Sequence, residues 1–211
     1  MSPAAATLTS AGSPPAWQGT AGQMRNDRFD DLRATLKKAA VALRDEGVEF
    51  MLGGGLAVWA RGGAESDHDL DLMVKPDDAD KALDVLAETG MRPERPPEGW
   101  LYKAWDENDV LVDVIFRPAG LAVTDEALAR ADVIEIDALP MRVMALEDVL
   151  VTKLLALDEQ SLDYESLLQV ARPVREQVDW DDVRRRASGS PYAAAFFTLV
   201  EELGIVSPRR G

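Results

Sequence analysis

The chain has 211 residues, 38 of them acidic and 23 basic, which gives a formal net charge of −15 at pH 7. A negative field of this size repels phosphate backbones, so it argues against general DNA binding but not against a small nucleotide that arrives with a divalent cation. The absence of cysteine excludes disulfides, zinc–thiolate sites and thiol nucleophiles and favours a cytoplasmic protein. No apolar run approaches the roughly 20 residues that span a bilayer, so we expect no membrane association.

The first 24 residues, MSPAAATLTSAGSPPAWQGTAGQM, are rich in Ala, Ser, Gly, Thr and Pro and carry no charge. Such a segment buries too little apolar surface to offset its ordering entropy, so we predict a disordered N-terminal tail over residues 1–24. From Asp27 onward, apolar residues recur at three- and four-residue spacing as far as Gly47. This spacing is typical of a helix that ends at a glycine cap.

The pattern then predicts alternating strands and helices, followed by helices alone. We expect a mixed β-sheet core flanked by helices, an α/β (α+β) domain over residues 25–145, with a helical C-terminal part over residues 146–211 packed on it. The predicted strands are residues 48–52, 70–74, 100–105, 110–116, 133–136 and 141–144. The predicted helices that follow the first are residues 56–60, a segment after Pro76, residues 125–131, 146–157, 162–176, 181–187 and 192–203.

The segment SDHDLDLMV, residues 66–74, concentrates acidic residues at the entrance of a predicted strand. Side chains alternate along a strand, so Asp67, Asp69, Asp71 and Met73 share one face and His68 lies on the other. Carboxylates this close repel one another unless a cation lies between them, and Mg²⁺ is the ion that best suits oxygen ligands completed by phosphates. A solvated polar face explains the same acids without a metal, and His68 fits a capping or packing role.

A further acid, Asp113, interrupts the apolar run DVLVDVIF. A buried charge needs a partner or a metal, unless the strand lies at an edge and the acid reaches water. If this strand lies beside the first, Asp113 meets Asp69 and Asp71. Asp69 and Asp71 would then hold the metal ions, and Asp113 would bind one ion and act as general base on an attacking hydroxyl.

Three glycines separate a predicted strand from a predicted short helix. Gly53, Gly54 and Gly55 allow the backbone to approach a phosphate closely, and the first N–H groups of a helix attract it. A plain strand-to-helix turn has the same composition. The glycines are therefore candidate nucleotide-binding residues only in combination with the acids.

In the order GGG-LAVWA, DLDLMV and LVDVIF, the sequence resembles the nucleotidyltransferase superfamily related to DNA polymerase beta. The resemblance is closest to small bacterial members, which include antibiotic adenylyltransferases and abortive-infection toxins. It covers roughly residues 48–116 and, more loosely, the helices of residues 146–187. The resemblance implies a nucleotide-phosphate loop at Gly53 and Gly54, metal ligands at Asp69 and Asp71, and a third catalytic carboxylate at Asp113.

The helix EDVLVTKLLA resembles the segment in which family members often carry a lysine, which makes Lys153 a candidate triphosphate contact; a lysine that reaches solvent is the alternative. Many relatives also have a serine soon after the glycines, and an arginine and a threonine before the first metal-binding aspartate. This chain has Leu56 or Ala57 in place of the serine, and Glu65 and Asp67 at the other two positions. Arg61 or Lys75 are the cations that could compensate for Glu65.

The resemblance implies a metal-dependent nucleotidyltransferase that moves a nucleoside monophosphate from a nucleoside triphosphate to an acceptor hydroxyl. Two Mg²⁺ ions are expected, with Mn²⁺ as a substitute. The acceptor is open: a small molecule, the end of a tRNA and a protein side chain all fit. Two alternatives remain, a toxin that acts on tRNA and is paired with an antitoxin protein, and a degenerate fold that only binds a nucleotide or a protein.

Overall fold

The computed structural model describes residues 16–64 and 69–208, with side chains from Asp27 onward. Within these residues it contains seven strands, eight α-helices and two short 3₁₀ helices at Pro76–Asp78 and Pro118–Gly120. The strands are β1 (Phe50–Leu52), β2 (Leu70–Val74), β3 (Arg92–Glu94), β4 (Leu101–Trp105), β5 (Leu111–Ile115), β6 (Asp132–Ile136) and β7 (Leu139–Val143). The helices are α1 (Ala16–Asp45), α2 (Gly54–Trp59), α3 (Ala79–Glu88), α4 (Asp125–Arg130), α5 (Leu146–Leu155), α6 (Tyr164–Val174), α7 (Trp180–Arg186) and α8 (Pro191–Glu202).

The strands form one mixed sheet in the order β3-β4-β5-β2-β1-β7-β6. Strand β2 lies near its centre, antiparallel to β1 and parallel to β5. Two antiparallel hairpins, β4–β5 and β6–β7, complete the two sides of the sheet. The predicted α/β fold with a mixed sheet flanked by helices is therefore confirmed.

Strand β2 has two different faces because its side chains alternate. Leu70, Leu72 and Val74 are fully buried on one of them. Asp71 and Met73 point to the other face, where the start of α2 packs against their side chains. The sheet thus offers an apolar face to the core and places an acid under the turn that leads into α2.

The C-terminal helices are joined to the rest of the fold by apolar packing and by a buried ionic network. Asp148 of α5 is only 4% exposed and accepts hydrogen bonds from Arg130 of α4, at 3.1 Å and 3.2 Å, and from Arg186 of α7. Helix α5 also contacts α2, α6 and α8. Because α5 contacts α2 of the α/β domain as well as the helices α6, α7 and α8, it fixes the C-terminal helices relative to the sheet. The domain boundary at residue 145 itself stays a prediction.

Two elements differ from the sequence-based expectation. Helix α1 begins at Ala16 rather than near Asp27, so part of the segment predicted to be disordered is helical, and residues 1–15 lie outside the described residues. Strand β3 was not predicted: its three residues are all exposed and include Pro93. Proline is tolerated there because β3 is an edge strand, and alternation cannot be recognised in so short a segment. No helix in the described part of the chain has the length and apolar character to cross a membrane.

Candidate functional site

Asp71 and Asp113 stand side by side at the centre of the sheet. Strands β2 and β5 are parallel, and Asp71 is the register partner of Asp113. Register partners on adjacent strands point to the same face, so the two carboxylates share one environment. The Asp113 side chain is 12% exposed. The two acidic strands are thus adjacent, as a shared site of Asp71 and Asp113 requires, while the catalytic roles of the acids stay predictions.

Burial and mutual repulsion make this pair costly to ionise. Burial is the main cause that raises the pKa of Asp71 to about 7, and the charges of Asp113 and Asp69 raise it further, against the opposing effect of Lys153 and Lys103. Burial also raises the pKa of Asp113, and Lys103 counteracts it. The surrounding cations therefore compensate the acidic charges incompletely near neutral pH.

Lys103 is the site residue that the sequence analysis missed. Its ammonium donates a hydrogen bond of 3.0 Å to Oδ1 of Asp113, and the two residues are register partners on β4 and β5. Glu94 on β3 is in turn the partner of Lys103. The charged row, Asp71, Asp113, Lys103 and Glu94, thus crosses four adjacent strands. In the sequence, the signal for Lys103 is a lone lysine within the otherwise apolar segment LYKAW, which a short turn separates from DVLVDV.

The glycine turn is shaped around Asp71. The Gly53 N–H donates to the backbone carbonyl of Asp71 at 2.8 Å. Gly54 has a left-handed φ of +52°, and a Cβ on it would lie 1.6 Å from Oδ2 of Asp71. Gly55 follows in the first turn of α2. The N–H of Gly53 is already bonded, so a phosphate contact would fall to the first N–H groups of α2, at Gly54 and Gly55; that contact stays a prediction.

Lys153 also belongs to this site. It lies on α5, and its Nζ donates a hydrogen bond of 3.2 Å to Oγ of Ser166 on α6. Its positive charge lowers the pKa of Asp71, in opposition to the effect of burial. The predicted contact of Lys153 with a triphosphate stays a prediction.

The two cations suggested as substitutes for the missing arginine are engaged elsewhere. Arg61 is 8% exposed and donates hydrogen bonds to Asp132 at 2.9 Å and to the carbonyl of Val143 at 3.1 Å. Lys75 follows the far end of β2 and lies 3.1 Å from Asp125. Lys103 and Lys153, rather than Arg61 or Lys75, are the cations that act on Asp71.

The approach to β2 is described only in part. Glu65, Asp67 and His68 lie outside the described residues, so the predicted metal-ligand role of Asp67 has no structural account. Asp69 is exposed and stands immediately before β2. Across residues 16–64 and 69–208, no three Asp, Glu, His or Cys side chains are grouped as a ready metal site. In this arrangement Asp71 and Asp113 form a pair that Asp69 influences by its charge.

An open cavity of about 1310 Å³ lies away from the acids, among the ends of α6, α7 and α8. Its lining includes Arg175, Trp180 and Arg184 but none of the charged row. Arg175 is paired with Glu176, and Arg184 is paired with Glu201 and stacks 4.0 Å from the centre of the Phe197 ring. Both arginines are thus already ion-paired, and neither Asp71 nor Asp113 lines the cavity.

A family model described as "Uncharacterised nucleotidyltransferase" matches residues 15–200, which include the glycine turn, the charged row and α5. No curated protein matches the chain.

Two structures of the antibiotic-resistance factor ANT(2'')-Ia share the fold. The solution structure has 16% sequence identity and a TM-score of 0.53 and covers 82% of this chain and 96% of its own. The crystal structure in complex with adenylyl-2''-tobramycin has 16% identity and a TM-score of 0.54 and covers 78% of this chain and 98% of its own. At this identity the likeness concerns the fold.

Proposed function

Because the chain belongs to this nucleotidyltransferase family, we propose that it moves a nucleoside monophosphate from a nucleoside triphosphate to the hydroxyl of an acceptor. The observation that carries the proposal is the register pairing of Asp71 with Asp113 beneath the glycine turn. Two adjacent acids, one of which lies against a glycine where a Cβ would overlap its carboxylate, have no evident structural purpose. They do suit a site that receives a cation together with a phosphate.

The acids fit a divalent cation by their chemistry. Carboxylate oxygens are the ligands that Mg²⁺ and Mn²⁺ prefer. Burial first, and neighbouring acids second, raise the pKa of both Asp71 and Asp113, so a cation would favour their ionised forms. Asp69, Asp71 and Asp113 would hold the metal, two ions being the expectation. When bound, the metal would neutralise charge on the reacting phosphate.

The residues of the chain divide the reaction between them. One carboxylate oxygen of Asp113 would hold a cation, a place that Lys103 takes at Oδ1 in this structure, and the other would accept the proton of the acceptor hydroxyl. The acceptor oxygen then forms a bond to the α-phosphorus as the bond to the β-phosphate oxygen breaks, and pyrophosphate leaves. Lys153 and the first N–H groups of α2 would bind the phosphates, because the charge of Lys153 acts on Asp71 and α2 begins at Gly54, against the Asp71 carboxylate.

The charge of the chain favours a small or cationic acceptor. The net charge of −15 repels an RNA backbone, which weighs against action on tRNA and hence against the toxin–antitoxin alternative. The adenylylated tobramycin in the ANT(2'')-Ia complex is a small molecule, and the shared fold supports the same size class here. A nucleotide-binding protein without activity is the remaining alternative, and cytoplasmic localisation stays a prediction.

Titration calorimetry with each nucleoside triphosphate, in Mg²⁺ and in EDTA, tests the proposal on the wild type and on Asp69→Asn/Asp71→Asn. We expect binding that requires Mg²⁺ and is lost in the double variant. Asp77→Asn is the matched control, because Asp77 is exposed beyond the opposite end of β2. Absence of binding to every triphosphate would overturn the proposal, and binding without pyrophosphate release in an acceptor screen would support the inactive alternative.

A further inference from the structure

The contact between Lys103 and Asp113 places a cation of the protein on one of the carboxylates proposed to bind metal. The ammonium lies 3.0 Å from Oδ1 of Asp113 in a pair whose side chains are 26% and 12% exposed. An ion pair of this kind is stronger than a fully exposed one, because water screens it less. A metal ion that approaches Asp113 therefore has to compete with Lys103.

The charges around the pair show how Lys103 could be released. Lys103 lies in the charged row between two acids, Asp113 and Glu94, and its flexible side chain is a quarter exposed. A lysine ammonium is a point charge with three donors and no fixed geometry, so it transfers readily to a more strongly charged acceptor. A triphosphate bound at the glycine turn, which packs against Asp71 two strands away from Lys103, would be such an acceptor.

We infer that Lys103 is an internal counter-ion that occupies Asp113 until the phosphates of a nucleotide draw it away, so that metal and nucleotide enter the site together. This inference rests on the proposed function and adds an order of loading to it. It accounts for the contact of a lysine with one of the two adjacent acids. A nucleotide-free protein would then bind free metal weakly.

The first measurement is the affinity for Mn²⁺ without nucleotide, which is determined from the electron paramagnetic resonance signal of the free ion. Lys103→Met removes the competing charge with little change in length, and we expect it to bind Mn²⁺ on the order of tenfold more tightly than the wild type. Lys103→Arg keeps the charge and should resemble the wild type. Lys75→Met is the matched control, because Lys75 is also ion-paired and 29% exposed but follows the far end of β2.

The second measurement is the affinity for inorganic triphosphate in EDTA, by calorimetry. If Lys103 moves to the phosphates, Lys103→Met should bind triphosphate several-fold more weakly than the wild type, while Lys75→Met should not. Opposite changes in the two affinities distinguish a competing counter-ion from a permanent structural ion pair, which would lower both affinities or neither. Lys103→Gln replaces Lys103→Met if the latter fails to fold.

Unchanged or weaker Mn²⁺ binding by the neutral variants would overturn the inference, and so would unchanged affinity for triphosphate. Adding Asp71→Asn to Lys103→Met shows where the ion binds: the gain in Mn²⁺ affinity should disappear, and a gain that persists would also overturn the inference. Failure of the proposed function is visible separately, as wild-type protein that binds no nucleoside triphosphate in Mg²⁺. The inference about Lys103 is tested by the affinities for Mn²⁺ and for inorganic triphosphate alone.

Discussion

The backbone of Gly54 and the carboxylate of Asp71 occupy adjoining space, such that a Cβ on Gly54 would lie 1.6 Å from Oδ2 of Asp71. The φ of +52° at Gly54 is also a conformation that side chains disfavour. Position 54 is therefore restricted twice, by its own backbone and by the acid beneath it.

Gly54→Ala should consequently displace Asp71 and abolish the binding of nucleotide with Mg²⁺. Gly47→Ala is the matched control, because Gly47 has a φ of +67° but nothing within 4 Å of an added Cβ. We expect both variants to lose about 1 kcal/mol or more of the free energy of unfolding in urea. Only Gly54→Ala should lose nucleotide binding in calorimetry, and retention of binding would show that Asp71 is not held by the turn.

Asp71→Asn should stabilise the metal-free protein at pH 8. Burial, together with the neighbouring acids, raises the pKa of Asp71 to about 7, well above the roughly 3.9 of an unfolded chain. For an acid shifted upward, the neutral form is favoured by the fold, so stability is complete below the unfolded pKa and declines as pH rises through about 7. Asparagine removes this decline.

Urea denaturation in EDTA measures the effect. At pH 8 we expect the free energy of unfolding of Asp71→Asn to exceed that of the wild type by up to about 4 kcal/mol, and at pH 4 we expect the difference to vanish. Asp77→Asn, with the same loss of charge at an exposed position, should not show this pattern. A less stable Asp71→Asn at pH 8 would mean that the fold itself needs the ionised acid.

Asp148→Ala should be among the most destabilising single changes in the chain. It would leave Arg130 and Arg186 without the buried carboxylate that joins α4, α5 and α7, at a cost of about 3 kcal/mol or more. Asp182→Ala removes the more exposed partner of Arg186, which lies at 3.1 Å and is 24% exposed, and should cost about 1 kcal/mol or less. If both variants lost the same free energy of unfolding in urea, packing rather than the Asp148 carboxylate would hold α4, α5 and α7 together.

Ala138→Gly should stabilise the fold. Asp137 and Ala138 connect β6 to β7 as a two-residue turn in which both have a positive φ, of 52° and 61°. Such turns favour glycine at the second position, and an alanine there carries a strain of about 1 kcal/mol. Ala156→Gly is the control, because Ala156 is exposed with an ordinary helical φ of −79° and should lose stability instead. A thermal melt of both variants gives the sign directly.

The sequence was sufficient for the acids of the site because their signal is local. The two-residue period of DLDLMV and the lone charge in LVDVIF identify Asp71 and Asp113 without knowledge of the fold. Lys103 is different: on its own strand it resembles any solvent-facing lysine, and its role follows only from the register of β4 on β5. A single sequence does not state that register.

The other differences have the same origin. Arg61 and Lys75 are near the glycine turn and the acidic strand along the chain, so both were reasonable substitutes for a missing arginine. The fold instead directs Arg61 to the edge hairpin β6–β7 and Lys75 past the far end of β2. Proximity along the chain predicts that Arg61 and Lys75 reach the acids. The end of the strand at which each cation lies decides instead which groups it contacts.

The parallel pairing of β2 with β5 also has a kinetic consequence. The chain between these strands contains α3, β3 and β4, so Asp71 and Asp113 meet only when a long segment has closed, a slow kind of contact to form. The repulsion between the acids therefore develops only once β2 and β5 have paired. A cation bound by both acids would stabilise that pairing, and we expect it to slow unfolding.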